Sequence, residues 1–193
     1  MYAPGVAAVV VGLAAGSASA VPFPAGGPAG QEQPAAAQAE RTTRRAIMIK
    51  LKMFDRGTVR RGLDLALAAL AWPGCAQVYA DFELPNGGTP QGELDRMGIG
   101  PAEFLETLVF TDGAREPVCR TNGVVLATEP GSRLIFVCPR FAEFQIGNAR
   151  MSASIMIHES LHALGLGENP PTSSDITARV ERRCWKRGQA APR

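Results

Sequence analysis

The 193-residue chain contains two histidines, His158 and His162, which stand four residues apart with Glu159 directly after the first. On an α-helix, residues four apart lie one turn above another on the same face, so both imidazoles can reach a single metal ion. Glu159 lies next to that face, where its carboxylate can take a proton from a water activated by the metal. The surrounding segment is apolar: Ile155, Met156, Ile157, Leu161 and Leu164 give the helix the wide hydrophobic surface of a buried element. A histidine pair on a buried helix needs polar partners, and a metal supplies them. The bland alternative is a helix that carries two ordinary polar residues.

Two imidazoles do not complete a zinc site, which takes a third protein ligand and, when catalytic, keeps one position open. Gly165 can end the helix by adopting the left-handed conformation that turns the chain back sharply. Glu168, three residues further on and so within about 10 Å of the turn, is the leading third ligand. Asp175 competes with it. Within Thr172-Ser173-Ser174-Asp175, the residues Ser173, Ser174 and Asp175 also read as N-cap candidates for a helix over 176–183. If Glu168 and Asp175 both ligate, the open position disappears and the site becomes structural.

The pattern His158-Glu159-x-x-His162-x-x-Gly165-x-x-Glu168 resembles the extended zinc motif of the zincin metallopeptidases, with the spacing of the metzincins, which usually place His or Asp where this chain has Glu168. The stretch HESLHALGLGENPPTSSDIT also resembles a group of exported bacterial proteins with a similar Gly-Leu-Gly-Glu-Asn-Pro-Pro signature. The resemblance implies His158, His162 and Glu168 as ligands of Zn2+, Glu159 as general base, and a peptide or protein substrate. All six methionines precede His158, so the methionine turn that metzincins carry beneath the metal has no counterpart, and the implied fold is a minimal zincin-like domain. The implied reaction is attack of a zinc-activated water on a scissile carbonyl, with Glu159 passing the proton to the leaving amine. Tyr79 and Arg133 are candidate oxyanion donors, and the segment 133–138 can pair with an extended peptide if it forms an edge strand. A zinc hydrolase acting on a non-peptide amide such as cell-wall material, and a non-catalytic zinc-stabilised binding domain, are the competing functions.

The elements that must position these residues follow from the pattern upstream. Partial alternation predicts a strand over 46–54, and near-helical spacing of Val59, Leu63, Leu67 and Leu70 predicts a helix over 58–72, stopped by Pro73-Gly74. A strand over 77–82, a short helix over 101–108 opening on Pro101, extended segments over 123–128 and 133–138, and the long helix over 148–164 complete the order. That order indicates a mixed α/β or α+β domain: one twisted sheet packed on a helix, plus an active-site helix.

The ends read differently. Residues 1–20 have the form of an export signal, an apolar run over Val6 to Ala15 and then Ala18-Ser19-Ala20, although no Lys or Arg precedes Val6. Residues 21–45 read as a Pro/Ala/Gly-rich linker ending in a basic edge at Arg41 to Arg45, residues 46–187 as the folded domain, and 188–193 as a disordered tail. A secreted or periplasmic location follows, with no stable membrane insertion expected, because no other stretch approaches a membrane span. A net charge of +2, from 20 Lys+Arg against 18 Asp+Glu, speaks against a nucleic-acid partner. Export would place the four cysteines in an oxidising compartment, where two disulfides are expected. Cys119 and Cys138 flank an apparent hairpin and are the favoured pair, which leaves Cys75 with Cys184.

Overall fold

The computed structural model describes residues 46–185. The expected export signal over 1–20, linker over 21–45 and tail over 188–193 lie outside the described residues. Among the described residues the elements run β1 (Ile47–Ile49), α1 (Met53–Leu70), α2 (Pro73–Ala76), α3 (Pro90–Met97), α4 (Pro101–Leu105), β2 (Val109–Asp112), β3 (Leu126–Ala127), β4 (Leu134–Val137), α5 (Phe141–Gly147), α6 (Ala149–Ala163) and α7 (Ser173–Cys184). This is the expected mixed α+β architecture.

The strands form one sheet in the order β1-β2-β4-β3. β1, β2 and β4 are parallel, with Met48 opposite Phe110 and Phe110 opposite Ile135, whereas β3 joins β4 antiparallel and forms one edge. Parallel neighbours need a crossover, and the helices α1 to α4 supply the one between β1 and β2. Phe110, Ile135 and Val137 point from the sheet into the core, where α1 and α6 pack against each other. Gly62 on α1 makes that helix contact possible. A Cβ there would meet Met156 Cε of α6 at 2.9 Å, so any larger residue would push the buried Met156 side chain aside.

Several elements differ from the sequence expectation, each for a local reason. β1 stops at Ile49 because Lys50 adopts a left-handed conformation, φ 55°, which turns Leu51 into the core; α1 then starts at Met53 rather than at Thr58. The segment expected as a strand over 77–82 is instead a 3-10 turn, Gln77–Ala80, continuing directly from α2. Its adjacent residues Val78 and Tyr79 are both buried, a pattern that a turn allows and strand alternation does not. α3 is a helix absent from the sequence expectation; its Thr89 hydroxyl accepts the Gly92 N–H at 3.0 Å, with Pro90 in the first turn. β2 is a four-residue strand with no turn residues before it, and α5 separates from α6 only at Asn148.

α7 returns across α6 and is held at both ends. Thr172 caps it in a reciprocal capping box with Asp175, one residue before the run expected to serve as N-cap. At the other end Cys184 is bonded to Cys75, as the cysteine spacing indicates, and Cys119 is bonded to Cys138. Beside the first disulfide, Arg183 donates from Nε and Nη2 to both oxygens of Asp81, at 2.7 and 2.5 Å, while Arg179 approaches Asp81 at 3.3 Å. Partial burial raises the Asp81 carboxyl, but the two guanidinium groups outweigh it and hold the pKa below the usual carboxylate range.

Two stability outcomes follow. The Cys75–Cys184 bridge closes a loop with a sequence separation of 109, so replacing both cysteines by Ala is expected to lower unfolding free energy by roughly 2–5 kcal/mol in urea titration. Because the folded-state pKa of Asp81 is depressed, its contribution is present above the ordinary carboxylate pKa and is lost as pH falls through the folded value. Asp81→Asn should therefore flatten the acid limb of the stability-versus-pH curve; an acid limb identical to wild type would contradict the assigned ion pair.

Candidate metal centre

α6 carries the histidines on a helix whose every residue from Met156 to Ala163 is buried, with His158, Glu159 and His162 only 4–6% exposed. The four-residue spacing does what helical geometry requires: the Nε2 atoms of His158 and His162 lie 2.8 Å apart, with the rings at 61° to each other. Each ring is fixed from its other nitrogen. Nδ1 of His162 donates to the Leu166 carbonyl at 2.6 Å, which leaves a lone pair on the Nε2 of the neutral ring. Nδ1 of His158 meets the Thr177 hydroxyl at 2.9 Å, a group that can accept or donate. When Thr177 accepts, both Nε2 lone pairs aim at one point, as a shared ion requires. Burial first, and then the adjacent His162, push the His158 imidazole down to about 3, so the ring is neutral and able to ligate at any ordinary pH.

The third member arrives by a turn. α6 ends in Leu166 N–H to Leu161 carbonyl and Gly165 N–H to His162 carbonyl bonds, with Gly165 at φ 102°, a conformation that a side chain disfavours. The reversal brings the Leu166 carbonyl to His162 and places Glu168 Oε1 at 3.4 Å from His162 Nε2 and 3.8 Å from His158 Nε2. His158, His162 and Glu168 thus form a group able to hold a metal ion, with ligand atoms within 4.8 Å of one another. Asp175 does not join them. Its carboxylate accepts the Thr172 N–H and hydroxyl at 3.2 and 2.6 Å in the cap of α7.

Glu159 faces the same cleft. One of its carboxylate oxygens takes the backbone N–H of Thr128, and the other, Oε2, is buried with no hydrogen-bond partner among the described residues. Burial, reinforced by the charge of Glu168, pushes this carboxyl up to about 8. A cation held by the neighbouring ligands acts in the opposite direction and favours the carboxylate. The β3–β4 hairpin is tied to α6 at two points, Thr128 N–H to Glu159 and Gly131 N–H to the His162 carbonyl at 2.8 Å. Together these parts bound a cleft of about 460 Å³, whose floor is the histidine pair, Glu159 and Glu168, and whose wall is Leu126, Ala127 and Thr128. A larger and shallower hollow of about 720 Å³ lies between Met151 and α7, but none of the three ligands lines it.

Two expected participants lie elsewhere. Tyr79 is fully buried on the opposite face of α6, its hydroxyl 2.5 Å from Ser160 Oγ, which in turn donates to the Ile157 carbonyl. Arg133 is exposed beside α3 and α4, with its guanidinium 5.3 Å from the centre of the Phe104 ring and in contact with Met97 and Thr107. Neither reaches the cleft. β4, whose pairing with a peptide depended on its being an edge strand, is interior, since β2 and β3 flank it; the strand at the cleft is β3. Thr177, Thr128 and the Leu166 carbonyl escaped the sequence reading. Only the carbonyl had a signal, in the turn that Gly165 imposes.

Compared with protein-family models, curated proteins and solved structures, the chain gives no match. The site itself carries the functional argument. Titration of the metal-free protein with Zn2+ is expected to reach one equivalent in wild type and in Asp175→Ala, and to weaken at least about tenfold in Glu168→Ala, the scale expected when a ligand is lost. Retention of full affinity in Glu168→Ala, with loss in Asp175→Ala, would reverse the assignment.

Proposed function

We propose that this chain is an exported zinc-dependent peptidase in which His158, His162 and Glu168 hold the metal and Glu159 is the general base. The donor set fits: two imidazoles and one carboxylate are a combination suited to zinc with an open coordination position. Zinc held there supplies Lewis acidity and lowers the pKa of a coordinated water. The observation that carries the catalytic reading is the buried Glu159 Oε2, left without a protein partner at the cleft floor beside the ligands. An acceptor in that position is suited to receive a proton from water, whereas a purely structural site has no use for it.

The rest of the chain supports the role. Thr128 N–H orients the Glu159 carboxylate from one oxygen and leaves the other free to move a proton. Asp175 is engaged in the cap of α7, so the closed four-ligand alternative lacks its fourth ligand. β3 has its outer edge free of any strand partner among the described residues, and its backbone can add an extended peptide as a further strand along the cleft wall. The two disulfides are compatible with the oxidising compartment to which export would deliver the protein. Among the described residues no helix is long and apolar enough to cross a membrane.

Glu159→Gln keeps the size of the side chain and removes the base. It is expected to retain one equivalent of zinc while lowering hydrolysis by at least about a hundredfold on a panel of peptides and peptidoglycan fragments. His162→Ala should lose both metal and activity. Cleavage of peptidoglycan fragments without cleavage of peptides would move the substrate to a non-peptide amide. If wild type and Glu159→Gln are indistinguishable on every substrate, the catalytic role is wrong and a zinc-stabilised binding domain takes its place.

A further inference from the structure

An exposed apolar surface apart from the cleft lies on β1 and the first turns of α1. Seven large hydrophobic side chains are exposed among the described residues, and four of them fall between positions 47 and 54: Ile47 at 56%, Ile49 at 41%, Met53 at 88% and Phe54 at 62%. Single exposed apolar residues are ordinary, but a contiguous cluster marks a contact surface. The local backbone produces it. The left-handed turn at Lys50 sends Leu51 into the core and leaves Lys50, Lys52 and Met53 outside.

Cations predominate along this stretch, and the hollow that Ile49 and Lys50 share is lined by Arg115 together with Asp112 and Glu116. Residues 46–61 contain Lys50, Lys52, Arg56, Arg60 and Arg61 against one carboxylate, Asp55. No ion pair engages any of these five within the described residues. Helical spacing carries Met53 and Phe54 onto the same side of α1 as Arg60 and Arg61, two turns on. Arg61 reaches back along that side, since a Cβ at Gly57 would lie 3.7 Å from its Nη1. Arg56 uses its Nε on the Leu51 carbonyl, which fixes the side chain beside the cluster.

We infer that this surface docks the protein peripherally on an anionic lipid bilayer, with Met53 and Phe54 entering the headgroup–acyl boundary and the surrounding cations meeting lipid phosphates. Protruding apolar side chains flanked by an excess of Lys and Arg are the chemistry that such an interface selects. A second copy of the chain is the weaker occupant, because a two-fold contact would set one group of five cations against another. A nucleic acid would meet the cations but gain nothing from the protruding Met53 and Phe54. The surface is separate from the metal centre and does not depend on the peptidase reading.

The test is hydrogen exchange and vesicle flotation of the full chain, using phosphatidylcholine vesicles with and without an equal share of phosphatidylglycerol. Amides of residues 47–56 are expected to gain protection with the anionic vesicles only, and to lose it in high salt. Met53→Ser/Phe54→Ser and, separately, Lys50→Glu/Lys52→Glu should each weaken that protection at least about tenfold. All four replaced side chains are exposed, and an unchanged circular dichroism spectrum verifies the fold of each variant. Anionic vesicles that leave residues 47–56 unprotected would overturn the inference, as would protection equal to wild type in both variants. Concentration-dependent protection of the same amides without vesicles would assign the surface to self-association instead.

Discussion

Two imidazoles inside a buried helix aim their Nε2 atoms at each other across 2.8 Å, and the local structure is organised around keeping them there. Burial keeps His158 neutral, and the Leu166 carbonyl fixes the tautomer of His162. Thr177 is the adaptable member. With its hydroxyl donating to His158 Nδ1, the two rings can share a proton; with it accepting, both lone pairs face the same side, where a cation can be held. The Gly165 turn and the capped start of α7 position the atoms on which that choice depends. α1 supports the arrangement from behind, and the absence of a side chain at Gly62 leaves room for the end of Met156.

Much of this was legible in the sequence because it rests on helical period and on scarce residue types. Two histidines four apart with an adjacent Glu specify one helix face whatever the rest of the fold. Four widely spaced cysteines left few pairings, and both favoured ones form. Glu168 could be ranked above Asp175 because a glycine-terminated helix reverses its chain within a few residues, whereas Asp175 also fitted a cap, the role it takes. What the pattern did not disclose depends on tertiary packing. Val78 and Tyr79 look like strand residues, yet the neighbouring α2 turn and the Cys75 bridge hold them in a 3-10 turn. β2 is too short to show a period, and its place between β1 and β4 made β4 interior, which no local signal announces. The contacts of Thr128 and Thr177 join residues 31 and 19 positions from their partners, distances over which spacing rules say nothing.

The cleft shows how few parts such a site needs. One helix supplies His158, His162 and Glu159, one turn supplies Glu168, and one two-stranded hairpin supplies the wall. The hairpin does not rest on apolar packing alone; it is fastened to α6 by backbone donors at Thr128 and Gly131. Between those two points Thr128 Oγ1 closes the turn on the Leu134 carbonyl at 2.6 Å. The Cys119–Cys138 bridge secures the same hairpin from its far end, where β4 leaves the sheet.

The most direct measurement is X-ray absorption at the zinc edge on protein loaded with one equivalent of Zn2+. The expected spectrum contains two imidazole nitrogens at about 2.0–2.1 Å, light oxygen scatterers completing the shell and no sulfur, and His162→Ala is expected to retain too little zinc to give it. A shell containing sulfur at about 2.3 Å, or a first shell unchanged by His162→Ala, would place the metal elsewhere and contradict the His158–His162–Glu168 centre.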